Sequence, residues 1–440
     1  MKKISFILLM ILVTIVAIAM ALSPVWWKIE DMRREPTVLD TVEPPSLRAL
    51  PRKKDRKTIV FGASLSMTGR LSVEGQRARE GYDIWKDWVN ERGGIKVGDR
   101  KYLVDIVYLD DRSNSEIVRQ NVRSLILDHK VDFLLGPFSS SLTLVASETS
   151  ENFGIIMVEG CGASEIIFTR NPQFTFAVLT SASFYMKNFF EMMCLVEPTP
   201  TTYALIVKDR LFSRSVAKGA RIWAAKIGFQ EVYYAIHPVN CQDYYDVLNE
   251  IEKVKPDMLI FSGHIRDSIN FTSELVTKCN FMPKAVMMTL GPTQEIYIKE
   301  LGKYAENMMG VTQWVERSNF SCPVFGDTKT YVEAFIKKYG HHPTYQNLQA
   351  TACGIVYQIA LEKCRKLDAK EVLENIRNID CETVFGRIKF DARGMNIAKS
   401  MAIVQIQDGY RYTIWPLNLA KRPVMYPLKG WLRKGDEKNL

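Results

Sequence analysis

Three consecutive serines in the loop Phe138-Ser139-Ser140-Ser141 are well suited to binding chemistry. They follow the apolar run VDFLLG and precede LTLVASETSENF, which is helix-like. The first turn of a helix leaves backbone N–H groups without partners, and serine hydroxyls add donors at the same place. A carboxylate or an amide carbonyl needs such donors. We therefore predict that Ser139 and Ser140, with Phe138 beside them, contact the acidic or amide end of a small ligand.

The elements that must position this loop form a repeated unit of strand, polar loop and helix. TIVFGASL breaks into SMTGRLSVEG and then enters the helix-like REGYDIWKDWVNERGGI. YLVDIVYLDD, VDFLLGPFSSS and GIIMVEGCGAS are further apolar runs that end on short polar residues. Loops at the carboxyl ends of parallel strands lie along one sheet edge, where open α/β sheets bind small ligands. The sequence therefore predicts one crevice lined by several of these loops.

The order of these loops resembles that of the periplasmic type I solute-binding proteins, in particular the leucine/isoleucine/valine-binding and amide-binding branch. The resemblance rests on SLSMTGRLSVEGQ, VNERGGI, YLDDRSNSE, LLGPFSSS and EGCGASEII, which occur in the family's order and at similar spacing. YALIVKDRLFSRSVAKGAR, KYGHHPTYQNLQATACGIVYQIALE and FGRIKFDARGMN look like the second lobe, the late helices and the final crossover. The resemblance covers about Thr58 to Pro416.

The resemblance implies an α/β fold of two lobes, each a mainly parallel sheet flanked by helices. Three hinge crossovers would join the lobes, near Leu179, Gly310 and Lys389. This gives residues 58–178 and 311–388 to lobe 1, 179–310 and 389–416 to lobe 2, and 417–440 to a C-terminal tail. The Pro and aromatic content of the tail favours packing across the hinge.

The resemblance also implies which loop residues hold the ligand. Ser139 and the backbone of Gly162, Ala163 and Ser164 would hold its carboxylate or amide end. Helix capping is the alternative role for both serines, because serine is a common N-cap residue. Tyr185 matches an aromatic position near the hinge, and packing within a helical core is its alternative role.

The second lobe must supply the other face of the crevice. VKDRLFSRS puts Asp209 and Phe212 at the end of one predicted strand, and LIFSGHIRD puts Gly263 and His264 at the end of another. We predict that these four residues contact the ligand. For His264 the alternative is an exposed loop histidine with no partner.

One departure from the family bears on the ligand. Amino-acid-binding members place an acidic residue after the next strand, and this chain has MMTLGPT there, without a carboxylate. An unpaired buried ammonium group would be costly. Either Asp209 or Glu159 replaces the missing carboxylate, or the ligand is not a free α-amino acid. An amino acid, an amide or a related small carboxylate therefore remains the predicted ligand class.

The N-terminus indicates export. Lys2 and Lys3 precede an uncharged apolar run from Ile4 to Ala21, which ends in the A-x-A pattern Ala19-Met20-Ala21. Residues 1–21 are predicted as a cleaved signal peptide, with an uncleaved membrane anchor as the alternative. Residues 22–57, rich in Pro and charge, are predicted as a linker. A periplasmic location follows.

Sequence signals of other protein classes are missing. G-x-S-x-G, P-loop, H-E-x-x-H and complete G-x-G-x-x-G motifs do not occur, so we predict no enzyme activity and no cofactor. His341 and His342 adjoin without a carboxylate neighbour, which is typical of a solvated turn rather than a metal site. The net charge is +9, but 49 acidic residues are interspersed with the basic ones, so no nucleic-acid partner is predicted.

Eight cysteines are widely spaced along the chain and form no C-x-x-C motif. Disulfide pairing cannot be deduced from this spacing. Cys161 differs from the others in position, because it stands in a predicted site loop.

The function expected from these features is capture of a small solute between two closing lobes, followed by delivery to a membrane permease of the ABC type. The resemblance implies a role in branched-chain amino acid transport. The alternative is a ligand-sensing subunit of the same fold that reports to a membrane receptor or kinase.

Overall fold

The structure is a computed structural model that describes residues 46–51, 56–316 and 318–429. The predicted signal peptide or anchor, residues 1–21, lies outside the described residues, as do most of the linker and the end of the tail. Within the described ranges, no helix combines the length and the apolar character needed to cross a membrane.

The first lobe is built on one sheet. Its strands are β1 (Thr58–Leu65), β2 (Ile95–Val97), β3 (Arg100–Asp110), β4 (Phe133–Leu135), β5 (Met157–Glu159) and β6 (Thr175–Ala177). The spatial order is β2-β3-β1-β4-β5-β6, and all neighbours pair in parallel except β2 with β3. Every residue of β4 and β5 is buried, as expected for strands covered by helices on both faces.

The second lobe is built on a seven-stranded sheet. The remaining strands of the chain are β7 (Thr202–Lys208), β8 (Gln230–His237), β9 (Met258–Ser262), β10 (Ala285–Met288), β11 (Met309–Thr312), β12 (Ser321–Cys322), β13 (Gly326–Asp327), β14 (Asp380–Thr383), β15 (Gly386–Lys389), β16 (Ala402–Gln407) and β17 (Tyr410–Trp415). The sheet has the order β17-β16-β11-β10-β9-β7-β8, and only β16 and β17 pair antiparallel with their neighbours. Two small hairpins, β12-β13 and β14-β15, stand apart from it.

Helices cover both sheets. They are α1 (Ser72–Glu91), α2 (Ser115–Leu127), α3 (Ser140–Asn152), α4 (Lys187–Met193), α5 (Leu211–Ile227), α6 (Tyr245–Val254), α7 (Ile265–Lys278), α8 (Glu295–Leu301), α9 (Thr328–Tyr339), α10 (Tyr345–Glu362) and α11 (Ala369–Arg377). Helices α4 to α8 belong to the second lobe and the others to the first. The prediction of a two-lobed α/β fold with mainly parallel sheets is confirmed.

The second crossover lies slightly later than the sequence predicted. Val311 and Thr312 still pair with Ile403 and Ala402 in the second sheet. The crossover therefore follows Thr312 rather than Gly310. A run of small and β-branched residues gave no local signal for the end of this strand.

Amide side chains hold the crossovers together. Gln313 accepts a hydrogen bond from Thr180 N at 3.0 Å and donates to Thr180 O at 3.0 Å. Asn396, in the third crossover, donates to Val178 O at 2.8 Å. Thr180 also donates to Lys399 O at 3.2 Å. All three crossovers are thus joined side by side.

The C-terminal tail packs mainly on the second lobe, and near its start Leu419 packs against a cluster that includes Val315 of the second crossover. Met425 N donates to the Gln405 side chain, and Leu428 N donates to Lys284 O. The Tyr426 hydroxyl donates to Pro198 O. These partners are side-chain and backbone groups of the second lobe.

Helices α1 and α10 approach closely because two glycines face the contact. A Cβ atom at Gly354 would overlap the Trp85 ring, and one at Gly81 would overlap the Asn347 carbonyl oxygen. Thr351 Oγ1 donates to Gly81 O at 2.8 Å, which joins the two helices directly. This contact fixes α10 against the first lobe.

Gly354→Ala should lower the free energy of unfolding by about 1–3 kcal/mol, because the added methyl group overpacks the contact with Trp85. In an unconstrained helix the same change would stabilise by roughly 0.5–1 kcal/mol. Urea denaturation measures the difference. In a Trp85→Leu background the penalty should shrink, and an equal penalty in both backgrounds would contradict this packing.

Candidate functional site

A small cavity lies where the two lobes meet. The first lobe and its crossover contribute Phe138, Ser139, Ser140, Cys161, Ala163, Leu179, Tyr345 and Gln349, and the second lobe contributes Tyr185, Phe212, His264 and Leu290. Its free volume is about 20 Å³, which is space for one water molecule. The lobes are therefore closed on one another in this structure.

Ser139 stands at the start of α3 with a strained backbone. Its φ is +81°, a region that residues other than glycine rarely adopt. Its hydroxyl caps the helix weakly, because Leu142 N donates to it at 3.5 Å, the limit of a hydrogen bond. Ser140 Oγ accepts from Ser164 N at 3.1 Å and so ties the two site loops together. Ser139 is thus a helix cap that also faces the cavity.

The loop after β5 contributes Ala163 directly. The Ser164 hydroxyl is buried and bonds instead to the Ser215 hydroxyl of the second lobe at 2.6 Å. Gly162 lies behind the wall, where a Cβ would meet Thr143 and Ile167. Of the three residues predicted here, one lines the cavity, one bridges the lobes and one allows close packing.

Aromatic rings form much of the wall. The rings of Tyr185 and Phe212 meet edge to face, with centroids 5.2 Å apart. His264 stacks on Phe212 at 5.7 Å and approaches Phe138 of the other lobe at 6.2 Å. The Tyr185 hydroxyl accepts from Gln313 at 3.1 Å, which connects the cavity to the second crossover.

His264 is buried, and burial lowers its pKa to about 4. The imidazole is therefore neutral near pH 7. Its Nδ1 has no hydrogen-bond partner among the described residues. The alternative role of an exposed loop histidine does not apply.

Two predicted residues do not reach the cavity. The Asp209 carboxylate pairs with Arg214 at 2.6 Å on the exposed side of the strand end. Gly263 N donates to Thr289 Oγ1 at 3.0 Å, and a Cβ there would press on the Phe261 ring. The position at the end of a strand correctly placed these residues at that edge of the sheet. It did not show which way each residue faces.

Several lining residues were not predicted. Tyr345 and Gln349 come from α10, about 200 positions after the serine loop, and their i, i+4 spacing in a long apolar helix is equally typical of core residues. Gln349 Nε2 donates to Cys161 Sγ at 3.3 Å, and its Oε1 is buried without a partner in the described chain. Leu179 and Leu290 were also missed, because an apolar residue does not by itself indicate a binding site.

The two adjacent histidines, which the sequence analysis did not interpret as a metal site, contact different partners. His341 lies beside Arg77 and Glu80, and His342 Nδ1 lies 3.3 Å from Glu316. Across the described residues, no group of three His, Cys, Asp or Glu side chains could hold a metal ion.

Charge is absent from the cavity wall formed by the described residues. The loop after β10 presents Leu290, as the sequence indicated. Neither of the proposed substitutes faces the cavity: Asp209 points to solvent, and the Glu159 carboxylate is held behind the wall. An α-ammonium group would find no counter-charge in this cavity.

Glu159 holds the site loop from behind. Its Oε2 accepts hydrogen bonds from Cys161 N at 2.8 Å and Gly162 N at 2.6 Å, while its Oε1 has no partner in the described chain. The side chain is fully buried, and burial raises its pKa to about 8. The neutral carboxyl group is therefore the main form near pH 7.

Glu159→Gln should flatten the pH dependence of stability. Because the folded pKa is raised from 4.5 to about 8, the contribution of Glu159 is fully present below pH 4.5 and is lost as the pH rises through 8. The wild-type free energy of unfolding should fall relative to the variant by up to about 1.4 kcal/mol per pH unit in that window. Urea denaturation from pH 5 to pH 8.5 measures this difference. Glu148→Gln, a change beside surface Arg170, is the control, and parallel curves for wild type and Glu159→Gln would contradict the prediction.

Comparison with known proteins gives consistent results. The family model described as "Periplasmic binding protein" matches residues 58–411. Leu/Ile/Val-binding protein homolog 7 of Brucella abortus (strain 2308) is 24% identical over 388 residues, covering 81% of this chain and 91% of the relative. Homolog 8 of the same strain is 22% identical over 389 residues, covering 82% and 91%.

Solved structures share the fold. The substrate-binding protein LivJ of Streptococcus pneumoniae, in complex with isoleucine, gives a TM-score of 0.71 at 17% identity, covering 84% of this chain and 100% of that chain. A solute-binding protein of an ABC transporter from R. palustris, in complex with benzoate, gives 0.67 at 15% identity, covering 81% and 95%. With the family model matching most of the sequence, the chain belongs to the periplasmic binding protein family.

Proposed function

We propose that this protein is the extracytoplasmic solute-binding component of an ABC-type uptake system. It captures a small carboxylate or amide solute, amino-acid-like in size, between its lobes and delivers it to a membrane permease. The observation that carries this proposal is the cavity at the lobe junction, which is lined from both lobes. No covalent chemistry is required for capture.

The contacts across the cleft support capture by closure. Ser164 of the first lobe bonds to Ser215 of the second, and Phe138 approaches His264 from the opposite side. The cavity wall is complete only when these surfaces meet. A solute bound first to the serine loop would therefore be enclosed as the lobes close, and exclusion of water strengthens its few polar contacts.

The chemistry of the wall supports a carboxylate or amide as the bound end. The Ser139 hydroxyl lies at the N-terminus of α3, a helix of 13 residues, where partial positive charge favours an anion or a carbonyl oxygen. The aromatic rings offer apolar contact to the rest of the solute. Curated relatives are named for leucine, isoleucine and valine, and the R. palustris protein holds benzoate, so both aliphatic and aromatic acids belong in a screen.

The family implies an extracytoplasmic location, and the finer assignment to a periplasm rests on the N-terminal sequence. We infer that residues 1–21 are a signal peptide that is cleaved on export and that a permease recognises the closed lobes. Mass spectrometry of the exported protein tests the first point: cleavage gives a chain beginning at Leu22, and retention of Met1 in the membrane fraction contradicts it.

Ser139→Ala should weaken solute binding by about 1–3 kcal/mol, because the solute loses a hydrogen bond to a buried hydroxyl. A thermal-shift screen of amino acids, amides and aromatic acids first identifies a solute, and calorimetry then compares affinities. The Tm of the empty protein should stay nearly unchanged, since the capping bond is long.

Ser141→Ala is the matched control, because Ser141 is the neighbouring serine but does not line the cavity. Equal affinity of Ser139→Ala and wild type would remove Ser139 from the site. No stabilisation by any solute class would contradict the proposed function itself.

A further inference from the structure

A second and larger cavity adjoins the first and shares His264 with it. Its volume is about 530 Å³, and its lining residues are Gly69, Arg70, Leu71, Ser72, Val73, Glu74, Arg210, Val239, Asn240, Gln242, His264, Ile265, Arg266, Asp267 and Ile296. We call it the outer chamber. The first lobe contributes the loop after β1 and the start of α1, and the second lobe contributes the loops after β7, β8 and β9.

Two long helices begin at the outer chamber from opposite sides. Helix α1 has 20 residues and α7 has 14, and the first turn of each lines the chamber. The N-cap residue of α1, Leu71, offers no side-chain hydrogen bond. Helix N-termini carry partial positive charge and unpaired N–H donors. Both lobes therefore present positive potential to the same space.

Three arginines line the chamber, and one of them, Arg266, is paired with Glu300. Arg70, in the loop of the first lobe, makes no hydrogen bond or ion pair with the described residues. Arg210 of the second lobe lies 3.4 Å from Asp267, with its side chain 12% exposed, and its Nε has no hydrogen-bond partner in the described chain. Burial first, and then the charge of Arg210, lower the pKa of Arg70, so the two cations act on each other across the cleft.

The acidic groups of the chamber do not balance these charges. Asp267 accepts a hydrogen bond from His264 N at 3.1 Å and is already engaged with Arg210. Glu74 is buried, and burial raises its pKa to about 7. Near neutral pH, Glu74 is thus partly protonated. Besides the partly protonated Glu74, Arg70 and Arg210 then share only the Asp267 carboxylate among the acidic residues of the described lining.

Unsatisfied polar atoms lie at the same place. His264 Nδ1 and Arg210 Nε are buried without hydrogen-bond partners among the described residues. A buried polar atom without a partner costs free energy, which a bound ligand atom would recover. The smaller cavity, in contrast, has no charged residue in its described wall. The two cavities therefore suit two different parts of one solute.

We propose that the outer chamber is an anion-binding subsite of the same cleft, and that the solute is an organic acid with two anionic groups. One group lies at the serine loop near Ser139, and the second, a carboxylate, lies between Arg70 and Arg210. The assignment of the solute rests on the proposed function. The subsite itself rests on the chamber.

This arrangement makes closure depend on the second anion. When the cleft closes empty, Arg70 and Arg210 approach with like charges, which opposes closure. A carboxylate between them converts repulsion into two charge-assisted contacts. A solute with one acidic group leaves the repulsion in place. The chamber therefore selects the dianion.

Matched pairs of acids test the solute class. Calorimetry with the full-length protein compares butyrate with succinate, valerate with glutarate, and benzoate with terephthalate. The dicarboxylate of the binding pair should bind roughly tenfold or more tightly than its partner, as expected for a charge-assisted contact. Arg70→Gln and Arg210→Gln should each remove most of this preference. A monocarboxylate that binds as tightly as its matched dicarboxylate would overturn the solute class.

Inorganic phosphate tests the subsite without any organic solute. Phosphate should raise the Tm of the wild type above that in chloride at equal ionic strength, and the rise should disappear in the double variant Arg70→Gln/Arg210→Gln. Arg119→Gln, at an exposed arginine paired with Glu116, should behave as wild type. Equal rises in wild type and double variant would overturn the subsite.

The two measurements separate the two proposals. Failure of every amino acid, amide and organic acid to bind would overturn the proposed function, while the phosphate titration would still decide the subsite.

The chamber also predicts how the effect of phosphate on Tm depends on pH. Corrected for the ionisation of phosphate, the rise in Tm should grow as the pH falls through about 7. Protonation of Glu74 removes a negative charge that faces Arg70, Arg210 and Asp267.

Discussion

Hydrogen bonds between the crossovers determine how the two halves of the site face each other. The Gln313 side chain pairs with both backbone atoms of Thr180, and Asn396 binds Val178 O. These bonds join the three crossover segments, which are distant in sequence, into one hinge connection. The serine loop belongs to one sheet and the aromatic wall to the other, so their alignment depends on this connection. Tyr185 extends it into the cavity, because its hydroxyl accepts from Gln313.

Local patterns predicted the strand-loop-helix units and their shared sheet edge, and the family resemblance added the two lobes. Strand, polar loop and helix follow one another along the chain, and the carboxyl ends of parallel strands must share an edge. Ser139 could be found for that reason, whereas Ala163 was named through the family resemblance. Asp209 was placed at the correct edge but faces solvent, because Arg214 on the next helical turn provides its partner there. Tyr345 and Gln349 enter through packing of α10 against α1, which no local pattern reports.

Polarity divides the cleft into two regions with one residue between them. The inner cavity is aromatic and without charge in its described wall, whereas the outer chamber is lined by three arginines and two acidic residues. His264 lines both. Since burial keeps its imidazole neutral near pH 7, it separates the regions without adding charge to either. This division is compatible with the proposed binding of a small carboxylate in a cleft that has no acidic residue after β10.

The glycine contact between α1 and α10 has a consequence for molecular recognition. Helix α10 carries Tyr345 and Gln349 in the inner cavity, and α1 begins at the outer chamber. Gly81 lies against the Asn347 backbone and Gly354 against the Trp85 ring, so tight packing of the two helices sets the spacing of the two regions. The first lobe thus holds the two regions at a fixed distance. A solute with the right end groups, but one or two methylene groups too long or too short, would reach only one of the two regions.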